Sequence, residues 1–262
     1  MRLSDYVLGQ PTPILIKGEP GTGKTIAAAS YPNPYIFSVD KKVAAIKKYY
    51  QYQCICPEII DSVEYVNVRD IYTDLLAPLE QLQNSCDRTI IVDTLTASSY
   101  RAIDYSVKYR PGRESSLRRG QIVLNEVEDY NVEARVLTSL VEMLKYISET
   151  HRVYTILIAH ILETEAMIGR QKIISRTLLT GAKKLAAAIP GEFDEIYHFE
   201  TENPINLADS RQFVCKTVHD GDDFATTALP IPEKINWTNQ NFFYKLRESL
   251  PNEVIREGSH GS

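Results

Sequence analysis

Eight consecutive residues constrain this chain more than any other stretch: Gly18-Glu19-Pro20-Gly21-Thr22-Gly23-Lys24-Thr25. They follow the apolar run Pro13-Ile14-Leu15-Ile16-Lys17 and precede the alanine-rich Ile26-Ala27-Ala28-Ala29. Strand, glycine-rich turn, then helix is the context of a phosphate-binding loop. Glycines let the backbone turn tightly enough for successive N–H groups to face one phosphate, and the helix start adds its dipole. At this spacing Lys24 reaches the β- and γ-phosphates, and the Thr25 hydroxyl is a Mg²⁺ ligand. The chain is therefore expected to bind a nucleotide through residues 18–25.

The remainder reads as alternating short strands and longer helices, the pattern of a parallel sheet covered on both faces. The helix after the loop must be short, because Pro32 and Pro34 stop it. Tyr35–Val39 reads as a second strand and Val43–Tyr50 as a helix. Val63–Val68 reads as a third strand, and Asp70–Ser85 as a helix that Pro78 kinks. Thr89–Val92 and Val153–Ala159 have the near-continuous apolar character of central strands, with a long helical region near Val123–Thr150 between them. Beyond residue 190, Glu195–Glu200, Arg211–Val218 and Phe224–Leu229 look like hairpin strands joined by Asn203-Pro204 and Asp220-Gly221 turns. Without repeats or a low-complexity linker, residues 1–257 are expected to form one domain, with 258–262 a flexible tail or cloning scar.

Acidic and polar residues fall at the strand ends. Asp93 emerges from Arg88-Thr-Ile-Ile-Val and suits the second Mg²⁺ anchor opposite Thr25. An Asp at a strand–helix junction also serves as a helix cap; the phosphate loop favours the metal role. Asp40 ends the strand beside the loop helix, as a base orienting the attacking water or as a turn residue. His160 closes Val153–Ala159, either touching the γ-phosphate and reporting its loss to the following loop, Ile161–Thr180, or serving as a core histidine.

With 44% hydrophobic and 24% charged residues, the composition excludes disorder as the dominant state. The net charge of −5 argues against a constitutive polyanion binder, so any nucleic-acid site must be a local basic patch. Two segments supply one. Lys108, Arg110, Arg113, Arg118 and Arg119 share their stretch with one acid, Glu114, and Pro111-Gly112 and Gly120 make it a loop. Arg170, Lys172, Arg176, Lys183 and Lys184 share theirs with none. Both follow the C-terminal ends of central strands, where open α/β sheets place ligands, and Tyr105 and Tyr109 stand ready for stacking. Solvated charge on surface loops is the plainer reading of such runs. Cys54-Ile-Cys56 lacks a matching pair in Cys86 and Cys215, which favours inert thiols over a zinc site. Phe242, Phe243, Leu246 and Leu250 form a helical apolar stripe expected to dock on the core or meet a neighbouring subunit. No apolar h-region opens the chain and no run approaches a membrane span, so the cytoplasm is the expected compartment and no membrane partner is expected.

The order of P-loop, Asp40, Ile90-Ile-Val-Asp93-Thr94-Leu-Thr96 and Ile156-Leu-Ile-Ala-His160-Ile161 resembles the RecA-type recombinase core. It most resembles the shortened RecA-core ATPases of bacteriophages, the phage nucleotide-binding proteins and single-strand annealing recombinases, over roughly residues 10–235. The resemblance implies an α/β, RecA-like P-loop NTPase core: a mostly parallel central sheet flanked by helices, with antiparallel strands toward the C-terminus. It implies ATP and Mg²⁺ as cofactors and slow, DNA-modulated ATP hydrolysis. Single-stranded DNA (or RNA) would be the partner, in a homo-oligomer, ring or filament, acting in phage recombination or replication, with a single-strand-binding protein as a further candidate partner. It also places His160 where the family has its glutamine switch, at the start of the second DNA-binding loop, and Lys216 near lysines that reach a neighbour's ATP. No Glu stands near Asp40–Lys42 where RecA has its catalytic one, only 12 residues precede the first strand, and no Phe-x-x-Ala assembly motif occurs. A ring-forming helicase or packaging motor, and a P-loop small-molecule kinase, are the rival functions.

Overall fold

Among the described residues the apolar runs become nine strands of one sheet, and the intervening segments become helices on its two faces. The computed structural model describes residues 11–41, 43, 44, 46, 63–109, 127–168, 171–202, 212–218, 225–227, 229, 231–237, 243 and 244. The strands are β1 (Pro13–Gly18), β2 (Pro34–Ser38), β3 (Glu64–Asn67), β4 (Thr89–Asp93), β5 (Thr155–Ile168), β6 (Gln171–Leu178), β7 (Glu195–Glu202), β8 (Gln212–Lys216) and β9 (Lys234–Trp237). The helices are α1 (Lys24–Ala29), α2 (Ala77–Leu82), α3 (Leu95–Tyr109), α4 (Val127–His151) and α5 (Lys183–Ala188). Across the sheet the order is β3-β2-β4-β5-β1-β7-β8-β9, with β6 paired to β5. From β3 to β7 the pairs are parallel, whereas β8 and β9 add antiparallel. This is the α/β layout expected of the sequence.

Successive side chains of a strand face opposite sides, and both sides of β1 are buried. Ile14 and Ile16 pack with Ala27, Ala28 and Ala29 of α1. Leu15 joins the other cluster, with Val136, Leu137, Leu140 and Leu144 of α4. The spacing of those α4 residues forms one apolar stripe, and each such leucine taken from water stabilises the fold by roughly 2 kcal/mol. Phe243 is fully buried against Tyr197 and Phe199, which docks this part of the C-terminal stripe on the α1 side. Phe242, Leu246 and Leu250 lie outside the described residues, as do Cys54, Cys56 and most of the expected Val43–Tyr50 helix. Burial raises the thiol pKa of Cys86 and pushes that of Cys215 well above its usual value, as inert core thiols require. Among the described residues, no helix is long and apolar enough to cross a membrane.

Four expectations are corrected. The expected helix Asp70–Ser85 is helical from Tyr72 to Leu82 but not uniformly α: a wide π turn, Tyr72–Leu76, runs straight into α2, and Pro78, which has no N–H to give, follows that change of winding. His160 does not end its strand. β5 runs on to Ile168 and returns as β6, so the expected loop Ile161–Thr180 is mostly a hairpin, pinned by an Arg176–Glu163 ion pair at 3.1 Å. The third C-terminal strand is Lys234–Trp237, while among the described residues of Phe224–Leu229 only Thr226 bridges the sheet, opposite Ile196. Lys108 sits in a helix, since Leu95, Ala102 and Ile103 give α3 a buried side that carries it to Tyr109.

Candidate nucleotide site

The turn after β1 is shaped by glycine where no side chain fits. A Cβ on Gly18 would lie 2.1 Å from the Phe199 carbonyl oxygen of the neighbouring strand β7. Gly23 caps α1 at φ 85°, the left-handed region that favours glycine. The Thr22 hydroxyl donates to the Glu19 carbonyl at 2.8 Å and closes the turn. Lys24 is 5% exposed, and its Nζ donates to the carbonyls of Gly18 at 2.9 Å and Glu19 at 2.6 Å. Its ammonium thus lies over the loop that is to hold a phosphate, not out in solvent.

Thr25 opens α1 and donates its hydroxyl hydrogen bond to Asp93 Oδ2 at 2.9 Å. Asp93 ends β4 and is 1% exposed; its peptide bond to Thr94 is cis. The Asp93 carbonyl also accepts from the backbone N–H groups of Val39 at 2.7 Å and Asp40 at 3.3 Å, which ties the end of β2 to β4. β5 lies between β4 and β1, and its His160 is in register with Gly18. The His160 N–H donates to the Thr96 hydroxyl at 3.2 Å, and its carbonyl accepts from Leu179 N–H at 2.8 Å, so its backbone joins α3 to the exit of the β5–β6 hairpin.

These elements enclose a cleft of about 250 Å³ lined by residues 20–26, Asp40, Asp93, His160 and Phe213. The structure thus brings Lys24, Thr25, Asp93, Asp40 and His160 together although they come from four separate stretches of chain. Phe213, on β8, is a wall that no sequence signal marks. A hydroxyl and a buried carboxylate within hydrogen-bonding distance suit a hard cation, and two protein oxygens suit Mg²⁺, which keeps waters and phosphate oxygens as its other ligands. The residues therefore fit a Mg²⁺–nucleotide pair.

The basic residues divide. Arg110, Arg113, Arg118, Arg119 and Arg170 lie outside the described residues, and Lys172 is described only as a β6 backbone position opposite Met167. Lys108 is exposed at the end of α3, with Nζ 4.9 Å from the Tyr109 ring centroid, and Lys183 and Lys184 are exposed at the start of α5. Lys216 does not line the nucleotide cleft; it pairs with Glu200 at 3.2 Å.

Strand register gathers a second set of cations that the sequence did not announce. Lys17 is in register with His198, and His198 with Lys216. Lys17 falls in step with Leu15 and His198 with Ile196, so both face the α3–α4 side. Burial lowers the Lys17 pKa to about 8, helped by the Arg176 guanidinium. Burial first, then the charges of Lys17, Arg176, Lys216 and Lys24, lowers the His198 pKa to about 3, which leaves its imidazole neutral at pH 7. A buried carboxylate joins the helices to the hairpin exit: Glu133 of α4 accepts from the Ser99 hydroxyl at 2.5 Å and from Gly181 N–H at 2.8 Å.

Among solved structures, the chain is similar to the flagellar accessory protein FlaH from Methanocaldococcus jannaschii, at 12% identity over 87% of this chain and 85% of that one, with a TM-score of 0.46. It is also similar to the RadB recombinase, at 12% identity over 88% and 90% of the two chains, with a TM-score of 0.47. A search of curated proteins finds no match. The AAA domain family matches residues 10–225, a span that holds the phosphate loop, Asp93, His160 and every strand from β1 to β8. With most of its length matched, this chain belongs to the AAA domain family.

Proposed function

We propose that the protein is a RecA-like ATPase of phage type that binds ATP with Mg²⁺ and engages single-stranded DNA in recombination or replication, acting in the cytoplasm as a homo-oligomer. The observation that carries the reading is the Thr25–Asp93 hydrogen bond at the mouth of the Lys24 loop, with Asp40 and His160 on the same cleft wall. Bound Mg²⁺ would neutralise phosphate charge as the terminal phosphoryl group leaves. Thr25 and Asp93 would hold that ion, and the Lys24 ammonium would trade the Gly18 and Glu19 carbonyls for phosphate oxygens. Asp40 supplies a carboxylate to orient the attacking water in the absence of a glutamate there. His160 touches the nucleotide cleft with its side chain and the hairpin exit with its backbone, a path by which phosphate loss reaches the β5–β6 hairpin. In an assembly, Lys216 would exchange Glu200 for a neighbour's phosphate.

The deciding experiment measures ATP turnover with and without single-stranded DNA, with particle size followed by light scattering. DNA-stimulated turnover in an assembled species supports the reading. Unidirectional movement along a strand would assign the helicase or packaging motor instead, and phosphoryl transfer to a small acceptor, indifferent to DNA, would assign the kinase.

A further inference from the structure

A second cleft, of about 160 Å³, opens between the C-terminal half of α3 and the turn that follows β3. It is smaller than the nucleotide cleft, and its size suits a single ring or a phosphate. On α3, Arg101, Asp104, Tyr105 and Lys108 line it at helical spacing, followed by Tyr109. The other wall is a rigid turn. Asp74 accepts from the N–H groups of Arg69 at 2.8 Å and Asp70 at 3.0 Å, and Asp70 accepts from those of Tyr72 at 2.9 Å and Thr73 at 3.1 Å. That wiring fixes Arg69 and Tyr72 toward α3.

Three tyrosine rings meet across the junction, tilted to one another by 48° and 44°. Tyr72 and Tyr105 have ring centroids 4.4 Å apart, and Tyr105 and Tyr109 4.5 Å apart. The middle ring packs on the core, while Tyr72 and Tyr109 are 36% and 50% exposed. A row of rings anchored at its centre and partly exposed at its ends offers aromatic surface to a base, with Lys108 over the Tyr109 ring and Arg69 and Arg101 on the same cleft. Asp70 spends one carboxylate oxygen on turn N–H groups but keeps its charge, so a polyanion would meet two acids here, Asp70 and Asp104.

We propose that this cleft is a seat for one unpaired base of single-stranded nucleic acid, with the base stacked on Tyr109, which lines it, or on Tyr72 beside it, and the adjoining phosphates on Arg69, Arg101 and Lys108. The assignment rests on the single-strand reading of the protein and gives it a specific contact. Stacking on an aromatic face tolerates any sequence, while the cations track the backbone, and the two together distinguish a single strand from a duplex whose bases are already stacked. DNA and RNA share this chemistry, and Asp104 tunes it by repulsion.

The test is fluorescence anisotropy of the full chain with labelled single-stranded oligothymidylate and oligouridylate, the corresponding duplex, and an abasic strand of equal length, each with a non-hydrolysable ATP analogue. Wild type is expected to prefer either base-bearing strand to the abasic one. The double variant Tyr72→Ala/Tyr109→Ala should weaken binding to base-bearing strands by on the order of tenfold and leave abasic binding level, so that the two losses do not add. Tyr72→Phe/Tyr109→Phe should retain affinity, and Asp104→Asn should raise it. Photocrosslinking wild-type protein to a 5-iodouracil strand removes any dependence on variant folding, and Tyr72 or Tyr109 should carry the adduct. If wild type binds single strands, but the alanine pair binds equally well or the adduct maps elsewhere, the cleft is overturned and the broader reading stands. If wild type binds neither single-stranded DNA nor RNA, the single-strand reading falls and the cleft with it.

Discussion

The two faces of the same sheet edge handle positive charge in different ways. On the α1 face, Lys24 is wrapped by the Gly18 and Glu19 carbonyls, and the Asp40 and Asp93 carboxylates line the same cleft. Cation, acid and hydroxyl converge there, as the proposed Mg²⁺–nucleotide ligand would require. On the α3–α4 face, Lys17 and His198 are each 3% exposed and share their surroundings with Arg176 and Lys216. The outer pair is balanced by Glu163 and Glu200, whereas the inner pair is accommodated by weakened proton affinity. One face keeps its charge for use; the other limits its charge in order to stay folded.

Lys24→Ala tests the first half of this contrast with the largest effect. Turnover should fall about 100-fold, in line with the loss of a charge placed at developing phosphate charge. Because Lys24 is buried and ties two carbonyls, the variant should also melt earlier than wild type. Unchanged turnover in folded protein would dismiss the nucleotide site. Asp93→Asn comes next. It keeps an acceptor for Thr25 but removes the carboxylate charge, so the Mg²⁺ concentration for half-maximal turnover should rise tenfold or more. An unshifted Mg²⁺ titration would move the metal away from Asp93.

Glu133→Ala belongs to neither charge system and probes the joint between them. It strands the Ser99 hydroxyl and leaves Gly181 N–H only its longer bond to Ser99 Oγ, at 3.2 Å, a cost of about 2 kcal/mol in urea unfolding. Glu133→Gln, which still accepts, should recover most of that loss. If both variants unfold like wild type, the link from α4 to the hairpin exit contributes nothing to stability.

The α1 face was largely legible because its chemistry is local: eight contiguous residues dictate the turn, and Asp93 follows an unmistakable apolar strand. Asp40 and His160 could be placed at strand ends, yet His160 turned out to lie within a strand, because polar residues such as Glu163 and Thr164 continue β5 once β6 supplies partners. The burial of Lys24 was also invisible, since a motif gives a residue's ligand and not its contacts within the loop. The opposite face was not legible at all. Lys17, Arg176, His198 and Lys216 belong to four strands, and only the register of β1, β7 and β8 brings three of them into one row. The Tyr72–Tyr105–Tyr109 row of rings has the same origin, with two rings on one helix and the third on a distant turn.

Lys17→Met addresses the second half of the contrast through its sign. An unfolded chain protonates this lysine with a pKa of 10.5, the folded chain with one of about 8. Between those values the unfolded state binds more protons, so wild-type stability should rise as pH climbs through that window, and below pH 8 the full penalty of a buried charge applies. Removing the amine while keeping an unbranched apolar chain should therefore stabilise the protein at pH 7, by about 3 kcal/mol, with the advantage shrinking from pH 8 upward. His198 gives an internal check. The Lys17 charge is the second-largest cause, after burial, of its lowered pKa, so in Lys17→Met the imidazole should titrate at higher pH, visible in its NMR ring-proton shifts. Urea unfolding of both proteins from neutral to alkaline pH decides the matter. A variant less stable at pH 7, or a difference that stays constant with pH, would mean that the inner cation is held by compensating interactions, and the two faces would then manage charge alike.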